Sequence, residues 1–354
     1  METSLAGAEF APAQTYLNTA TCGLLPRRAV TAVKELAEWN AQGRPGGVGS
    51  LEVVAAARAR YARIAGVGPD RVAVGGSVAV HAGLIAGSLP AGAEVLLAEG
   101  DFSSLLTPFA ARGHLTTRYA PLEELAGAVR PGTALVAVSA VQSADGRVAD
   151  LAAVREAAAG HGARLLVDTT QAVGWLPLDA GGYDYTVAGG YKYLCSPRGT
   201  SFLTVTEEAQ ESLPPLHAGW IAAEDLNGAP YGAVRSFAAA ARRYDEPPAF
   251  LAYHGAERSL AVIEEVGVEA IHAHDTALAA RFRAGVAALG HEPVPGDSAV
   301  VAVPGLGGRE GELLEAGVVT AARAGNLRVA FHLYNSVADV DRALDVLSSG
   351  PAGR

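Results

Sequence analysis

The chain alternates between two hydrophobic periods along most of its length. From about residue 26, stretches with apolar residues at helical spacing are followed by short apolar runs typical of buried strands, and Gly or Pro marks the joints. The pattern predicts helices over 52–65, 78–89 and 151–159, and strands over 71–74, 94–98, 134–138 and 164–167. Asp150 is the expected N-cap of the third helix and Gly160 its expected end. Such alternation is typical of a largely parallel sheet with helices on both faces.

The regular alternation of predicted helices and strands stops after a further strand predicted over 200–205. Residues 213–249 are rich in Pro and Gly and predict a long irregular segment that lines a site or an interface. Beyond it, the pattern predicts a smaller α/β unit with helices at about 250–266, 269–289 and 337–347 and strands over 299–303 and 327–331. We therefore expect an N-terminal segment over 1–25 that packs near the site and the small domain, a large domain over 26–249 and a small C-terminal domain over 250–354.

Composition narrows the class of protein. The chain has 354 residues, half of them hydrophobic and 18% charged, so we expect a folded protein of two domains. A net charge of −10 argues against nucleic acid or an anionic membrane as a partner. Cys22 and Cys195 are too few for a disulfide framework, and no Cys/His cluster has metal-ligand spacing, so no metal is expected. No signal peptide or membrane span is predicted, and we expect a cytoplasmic protein.

Lysine is nearly absent from this chain. Only Lys34 and Lys192 occur among the 27 basic residues, and Lys192 lies in an apolar, glycine-rich segment. Arginine serves elsewhere, but its guanidinium group does not lose its proton and cannot attack a carbonyl. An amine can, so Lys192 is a candidate for imine formation with a carbonyl cofactor.

Other residues near the predicted strand ends match the needs of such a cofactor. Ligands of open α/β sheets collect at the carboxyl ends of strands, where Asp168 is expected. Pyridoxal phosphate needs an amine, a carboxylate at the ring nitrogen, a donor near the ring oxygen and an anion cradle. Lys192, Asp168 and Gln171 would supply the first three, and the turn at 74–78 the fourth. Taken singly, each also fits a surface lysine, a helix cap or a tight joint, and the turn matches no nucleotide-binding motif.

Several longer motifs carry a family resemblance that runs from about residue 16 to 347. They are Tyr16-Leu-Asn-Thr-Ala20, Gly76-Ser-Val78, Glu99-Gly-Asp-Phe-Ser-Ser104, Ser139-Ala-Val-Gln-Ser-Ala-Asp-Gly146, the stretch from Asp168 to Asp179, Gly190-Tyr-Lys-Tyr-Leu194 with Ser196-Pro-Arg-Gly199, and Leu327-Arg-Val-Ala-Phe-His-Leu-Tyr-Asn335. With these motifs the chain resembles the class V aminotransferase superfamily of fold-type I pyridoxal-phosphate enzymes, which includes cysteine desulfurases and kynureninases. The resemblance implies a large domain with a mixed, mostly parallel sheet flanked by helices, and a smaller C-terminal α/β domain.

The resemblance also assigns roles. Lys192 would form the imine with pyridoxal 5'-phosphate and Asp168 would pair with the pyridinium nitrogen, which makes these two the catalytic candidates. The remaining cofactor-binding candidates are Gln171 at the ring oxygen, Phe102 on the ring face, and Gly76, Ser77, Val78, Ser143 and Tyr191. Arg328 would hold the substrate carboxylate, with Asn18 as a further substrate-binding residue.

Two departures from the family pattern matter. Members often place Ser or Thr two to three residues before the lysine and His directly before it, whereas this chain has Gly189, Gly190 and Tyr191 there. The phosphate cradle would then need Tyr191 or a residue of a second subunit. Desulfurases also need a nucleophilic Cys on a mobile loop shortly before the carboxylate-binding arginine, and the corresponding segment 323–326 has none. A persulfide-forming desulfurase is therefore disfavoured unless Cys22 or Cys195 takes that role.

The segments 216–220 and 241–245 resemble ergothioneine-type and natural-product-pathway carbon–sulfur lyases. This favours β-elimination from a cysteine conjugate or its sulfoxide, with His217, Trp220 and Tyr231 among the substrate-binding candidates. Transamination, decarboxylating deamination and kynureninase-like cleavage remain alternatives on the same cofactor, and a non-catalytic binding protein of the same fold is a more distant one. The family further implies a homodimer with shared active sites and an amino-acid substrate.

Overall fold

The structure, a computed structural model, describes residues 4–349. Its strands in chain order are β1 (Thr15–Tyr16), β2 (Val72–Gly75), β3 (Glu94–Ala98), β4 (Thr116–Ala120), β5 (Thr133–Ser139), β6 (Arg164–Asp168), β7 (Tyr185–Gly189), β8 (Ser201–Val205), β9 (Val300–Val303), β10 (Val318–Val319), β11 (Ala321–Arg323) and β12 (Asn326–Ala330). Its α-helices are α1 (Arg27–Ala41), α2 (Leu51–Ile64), α3 (Val78–Ser88), α4 (Ser103–Ala110), α5 (Leu151–His161), α6 (Glu207–Ser212), α7 (Phe250–Val266), α8 (Val268–Ala288), α9 (Glu310–Glu315) and α10 (Val337–Ser348).

A seven-stranded sheet forms the centre of the fold, in the order β2-β8-β7-β6-β5-β3-β4. β8 runs antiparallel to both of its neighbours, and the other pairings are parallel. This confirms the expected α/β fold with a mixed, mostly parallel sheet. In such a sheet the carboxyl ends of β2, β3, β5, β6 and β7 meet along one edge.

Both faces of the central sheet are buried, which explains its uninterrupted apolar strands. Along β5, Leu135 and Ala137 pack into the core beneath α3, whereas Val136 and Val138 pack into the core on the opposite face. Alternate residues of a strand point to opposite sides, so a strand covered on both sides must be apolar at every position.

The C-terminal region contains a second, antiparallel sheet in the order β11-β12-β9. The N-terminal segment crosses to this region, where β1 pairs in parallel with β10 and the Leu17 carbonyl accepts a hydrogen bond of 2.9 Å from the Ala330 amide. Helix α7, which begins at the expected domain border, packs against α1 and α2. The expected borders at 25/26 and 249/250 remain predictions.

The local predictions hold with one correction. Asp150 caps α5 by accepting a hydrogen bond of 3.0 Å from the Ala153 amide, as expected. The helix does not end at Gly160, however, but continues to His161 and ends at Gly162, whose φ of 69° is left-handed. A glycine ends a helix where the chain must turn left-handed, and the second of the two glycines takes that position.

The segment 213–249 is irregular, as expected, with short 3₁₀ turns at Trp220–Ala222 and Ala241–Tyr244. Within residues 4–349, no helix combines the length and the apolar character needed to cross a membrane.

Candidate active site

A cavity opens at the edge where the parallel strands end. Eight residues expected at the cofactor contribute to its wall: Ser77, Val78, Phe102, Ser143, Asp168, Gln171, Tyr191 and Lys192. Three further wall residues were not foreseen: Ser104, Ser139 and Thr170. Ser139 ends β5 and Thr170 follows the end of β6 by two residues, so their position at strand ends was the available clue, whereas Ser104 lies in α4 and had no such clue.

Lys192 lies at the floor of this cavity with 4% of its surface exposed. Its Nζ is 5.0 Å from the ring centroid of Phe102 and 5.9 Å from that of Tyr191. Burial lowers the pKa of Lys192 to about 8; the Asp168 carboxylate opposes this, whereas the Arg328, Arg198 and Arg323 charges add to it. A substantial fraction of this amine is therefore neutral near pH 8 and able to attack a carbonyl.

Asp168 is the last residue of β6 and is buried. One of its oxygens accepts a hydrogen bond of 2.8 Å from the Thr170 amide. Burial raises the pKa of Asp168 to about 6, the Thr170 hydrogen bonds and Lys192 oppose this, and the nearby Asp101 charge adds to it. A buried carboxylate of this kind favours a cationic partner such as a protonated ring nitrogen.

Asp101 positions Phe102, and its role was not foreseen. Its carboxylate accepts hydrogen bonds from the Ser139 amide at 2.7 Å, the Ser139 hydroxyl at 2.5 Å and the Gln142 side chain at 3.2 Å. It also accepts one from the Phe102 amide at 2.6 Å. These contacts tie the loop after β3 to the end of β5, so the Phe102 ring is held over the lysine.

The turn after β2 is the predicted anion cradle, and Ser77 and Val78 of this turn line the cavity. Ser77 caps α3 through a hydrogen bond of 3.4 Å from the Val80 amide, so helix α3 points its N-terminal end toward the cavity. The Gly76 amide donates a hydrogen bond of 3.0 Å to Glu246 Oε2, which places a carboxylate beside the cradle. Glu246 was not foreseen, because it comes from the irregular segment far along the chain.

A steric constraint explains why residue 190, directly before Tyr191, is a glycine. A Cβ atom on Gly190 would lie 2.3 Å from Thr200 Oγ1, so a serine or threonine cannot stand there without displacing that side chain. The side chain of Thr200, the residue directly before β8, thus occupies the space beside Gly190. On the outer side, the Arg198 guanidinium stacks 4.2 Å from the Tyr191 ring centroid.

Arg328 and Gln171 meet through Ser143. Gln171 Nε2 donates to Ser143 Oγ and to the Ala20 carbonyl, both at 2.9 Å. Arg328 Nη1 donates to the Ser143 carbonyl and hydroxyl, and its Nη2 donates to Thr21 Oγ1 at 2.6 Å. Arg328 is 2% exposed, and burial lowers its pKa to about 10.

The remaining predicted substrate residues lie apart from the cavity wall. Tyr231 is 94% exposed, Trp220 is 36% exposed, and His217 is also exposed in this chain. Asn18 is half-buried and pairs with Ala330 in an isolated bridge. The functional roles of these four residues remain predictions.

The arrangement fits pyridoxal phosphate. The buried polar atoms without a hydrogen-bond partner among residues 4–349 include Gln171 Oε1 and Arg328 Nε; Gln171 lines the cavity, whereas Arg328 is not part of its wall but contacts Ser143, which is. Together with the amine of Lys192, the carboxylate of Asp168 and the ring of Phe102, they supply the groups this cofactor needs. Across residues 4–349, no group of three or more His, Cys, Asp or Glu side chains is arranged to hold a metal ion.

Neither cysteine belongs to the hairpin before Arg328, although Cys22 directly follows Thr21, whose hydroxyl accepts hydrogen bonds from Arg323 and Arg328. β11 and β12 are joined by Ala324 and Gly325, both left-handed with φ of 49° and 81°, which is the geometry of a tight two-residue hairpin. Cys195 is buried, and burial raises the pKa of its thiol well above the ordinary value, which disfavours the thiolate. The expectation that Cys195 is a packing residue agrees with this position.

Comparisons with known proteins give the family. The class-V aminotransferase family model matches residues 94–303. The chain is 28% identical over 318 residues to the uncharacterized aminotransferase YcbU of Bacillus subtilis, covering 85% of this chain and 84% of the relative. It is 27% identical over 292 residues to a kynureninase of Deinococcus radiodurans, covering 75% and 70%.

Among solved structures, the cystine C–S lyase C-DES, determined in complex with its product cysteine persulfide, superposes with a TM-score of 0.84 over 95% of this chain and 98% of that chain, at 22% identity. At this identity the likeness concerns the fold, and it agrees with the sheet order and the strand-end cavity described above. The chain therefore belongs to the class-V aminotransferase family, and is an enzyme of the pyridoxal-phosphate type.

Proposed function

We propose that this enzyme is a carbon–sulfur lyase that carries out β-elimination on a cysteine conjugate or its sulfoxide. The observation that carries the proposal is the tight hairpin before Arg328. Lys192 and Asp168 line the cavity and Arg328 contacts its wall through Ser143, but a two-residue turn without cysteine lies where a desulfurase needs a mobile nucleophile. Sulfur would then leave with its own substituent rather than be transferred to the protein.

The side chains would act as follows. Arg328 holds the α-carboxylate through its free Nε and neighbouring Nη2 edge, a geometry that suits two parallel hydrogen bonds. When bound, the cofactor acts as an electron sink for the bond broken at the α-carbon. Asp168 holds the ring nitrogen protonated, Phe102 covers the ring, and Lys192 takes the α-proton as a base whose pKa, about 8, is close to physiological pH.

The second candidate function is transamination, which differs only in where the proton goes next. The relation to YcbU, described as an aminotransferase, over 85% of this chain favours it. The reaction would require Lys192 to return the proton to the cofactor instead of allowing a sulfur substituent to leave.

Product analysis distinguishes β-elimination from transamination. The purified enzyme with bound cofactor is incubated with S-alkyl-cysteine conjugates and their sulfoxides, and products are identified by mass spectrometry. Elimination gives pyruvate, ammonia and a thiol or sulfenate, whereas transamination gives a keto acid that keeps its sulfur substituent. The Cys22→Ala, Cys195→Ala double variant should retain elimination, and Lys192→Ala should lose it. Loss of elimination in the double variant would overturn the cysteine-independent mechanism.

We further propose a homodimer in the cytoplasm. The exposed aromatic residues Trp220 and Tyr231 of the irregular segment would be covered if this segment faces a second subunit. Light scattering during gel filtration measures the mass of the assembly, and a monomer at micromolar concentration would contradict the dimer.

A further inference from the structure

The hairpin before Arg328 carries a second arginine on the same face of its sheet. In the β11–β12 pair, Ala321 lies opposite Arg328 and Arg323 lies opposite Asn326. Because alternate residues of a strand point to the same side, Arg323 and Arg328 share one face as diagonal neighbours. Like charges at diagonal positions repel each other, so this placement calls for a compensating anion.

The two guanidinium groups converge on one oxygen. Arg328 Nη2 donates to Thr21 Oγ1 at 2.6 Å, and Arg323 Nη2 donates to the same oxygen at 3.3 Å. Among residues 4–349, every other acceptor that these two groups contact is also neutral: the Ala322 carbonyl and the carbonyl and hydroxyl of Ser143. Burial lowers the pKa of Arg328, and the Arg323 charge lowers it further, as close cations without a paired carboxylate must.

Arg323 and Arg328 together offer more N–H donors than one carboxylate needs. Arg328 is buried and its free Nε lies next to Nη2, so this edge alone can bind the α-carboxylate of a substrate. Arg323 is exposed at the tip of the hairpin and uses only Nη1 and Nη2 in the contacts above. Its Nε makes no hydrogen bond among residues 4–349, and because the side chain is exposed, this group is accessible to a ligand.

We propose that Arg323 selects substrates that carry a second anionic group on the side chain, so that the preferred cysteine conjugates are acidic ones. This inference rests on the proposed function for the nature of the substrate, and it adds a specificity residue that the predicted site did not include. Arg323 takes the distal carboxylate or a similar anion at the mouth, while Arg328 takes the α-carboxylate inside.

A matched pair of ligands tests the charge directly. S-Carboxymethyl-L-cysteine and its carboxamide, S-carbamoylmethyl-L-cysteine, have nearly the same shape and differ in distal charge. Dissociation constants for the holoenzyme are measured in rapid-mixing experiments from the early absorbance change of the bound cofactor, before product accumulates. We expect the acid to bind about two- to fivefold more tightly than the amide in the wild type, as for an ion pair at an exposed site.

Arg323→Gln should remove this preference by weakening the binding of the acid alone, and Arg323→Lys, which keeps the positive charge, should retain part of the preference. Arg281→Gln is the matched control, because Arg281 is an exposed arginine of the same C-terminal region that pairs with Asp341 and should leave both constants unchanged. Equal weakening of acid and amide by Arg323→Gln would mean that both arginines clamp the α-carboxylate, and would overturn the inference. No preference in the wild type would also overturn it.

A second measurement does not depend on a variant. The affinity of the wild type for the acid should fall more steeply with added salt than its affinity for the amide, since only the acid makes the second ion pair. Both readouts are binding constants and do not require turnover. If the acid is preferred but no pyruvate forms, the lyase assignment fails and the charge selection holds; if pyruvate forms from both ligands without preference, the reverse is true.

Discussion

The pKa of Lys192 is the property of this site most open to a direct test. We predict that Lys192 in the apoprotein reacts as an amine with a pKa of about 8, and that Asp168→Asn moves the reaction to still lower pH. The first effect comes from burial of the ammonium group, which disfavours the charged form. The second follows because the Asp168 carboxylate is the charge that stabilises the ammonium group, so its removal favours the neutral amine.

The expected magnitude is large. A fall from 10.5 to about 8 corresponds to roughly 3 kcal/mol of destabilisation of the ammonium form in the folded state. At pH 8 about half of the Lys192 amines are then neutral, compared with about three in a thousand for a lysine with the ordinary pKa of 10.5. The folded chain binds fewer protons than the unfolded chain between these two pH values. The buried ammonium group therefore destabilises the fold fully below about pH 8, and this cost is relieved as the pH rises from about 8 to 10.5.

The assay is reductive methylation with formaldehyde and cyanoborohydride, followed by peptide mass spectrometry across pH 6 to 11. The chain offers an internal control, because its only other lysine, Lys34, is exposed on α1. The ratio of labelling at Lys192 to that at Lys34 removes the pH dependence of the reagent. Circular dichroism checks that Asp168→Asn remains folded.

Two results would refute the reasoning. One is a labelling midpoint for Lys192 that coincides with that of Lys34, since burial would then have no effect on the amine. The other is a midpoint that rises in Asp168→Asn, since the carboxylate would then not be the stabilising charge.

The remaining predictions concern packing and charge around the cofactor. Gly190→Ser should weaken cofactor retention, because its Cβ would lie 2.3 Å from Thr200 Oγ1, and the additional change Thr200→Ala should restore retention. Retention is measured as the cofactor released on dialysis. Unchanged retention in Gly190→Ser would contradict the clash. His332→Leu leaves the fully buried Asp275 without its 3.0 Å partner, so the free energy of unfolding measured in urea should fall by about 3–5 kcal/mol. A second change, Asp275→Leu, should recover much of that loss. Additive losses in the double variant would contradict the pairing. Glu246→Gln removes a negative charge beside the turn after β2 that is predicted to bind the phosphate, so it should slow the release of cofactor on dialysis. Glu246→Asp keeps the charge and should not change the rate of release.

Much of the fold was readable from the sequence because it follows from local periodicity. The continuous apolar runs of β3, β5 and β6 and the N-cap of α5 depend on neighbours within a few residues, and the structure confirms them. The end of α5 was misplaced by two residues, because two glycines were available and only the backbone conformation distinguishes them.

The sequence by itself determined the chemical inventory: one lysine outside a charged helix face, a carboxylate at a strand end, and the motifs that indicate the family. Tertiary structure alone decided which residues surround them. Glu246 contacts the turn after β2 from 170 residues away, and Thr21 contacts Arg323 across 302 residues. Such contacts depend on the register of distant strands and the packing of whole elements, and no periodicity along the chain encodes them.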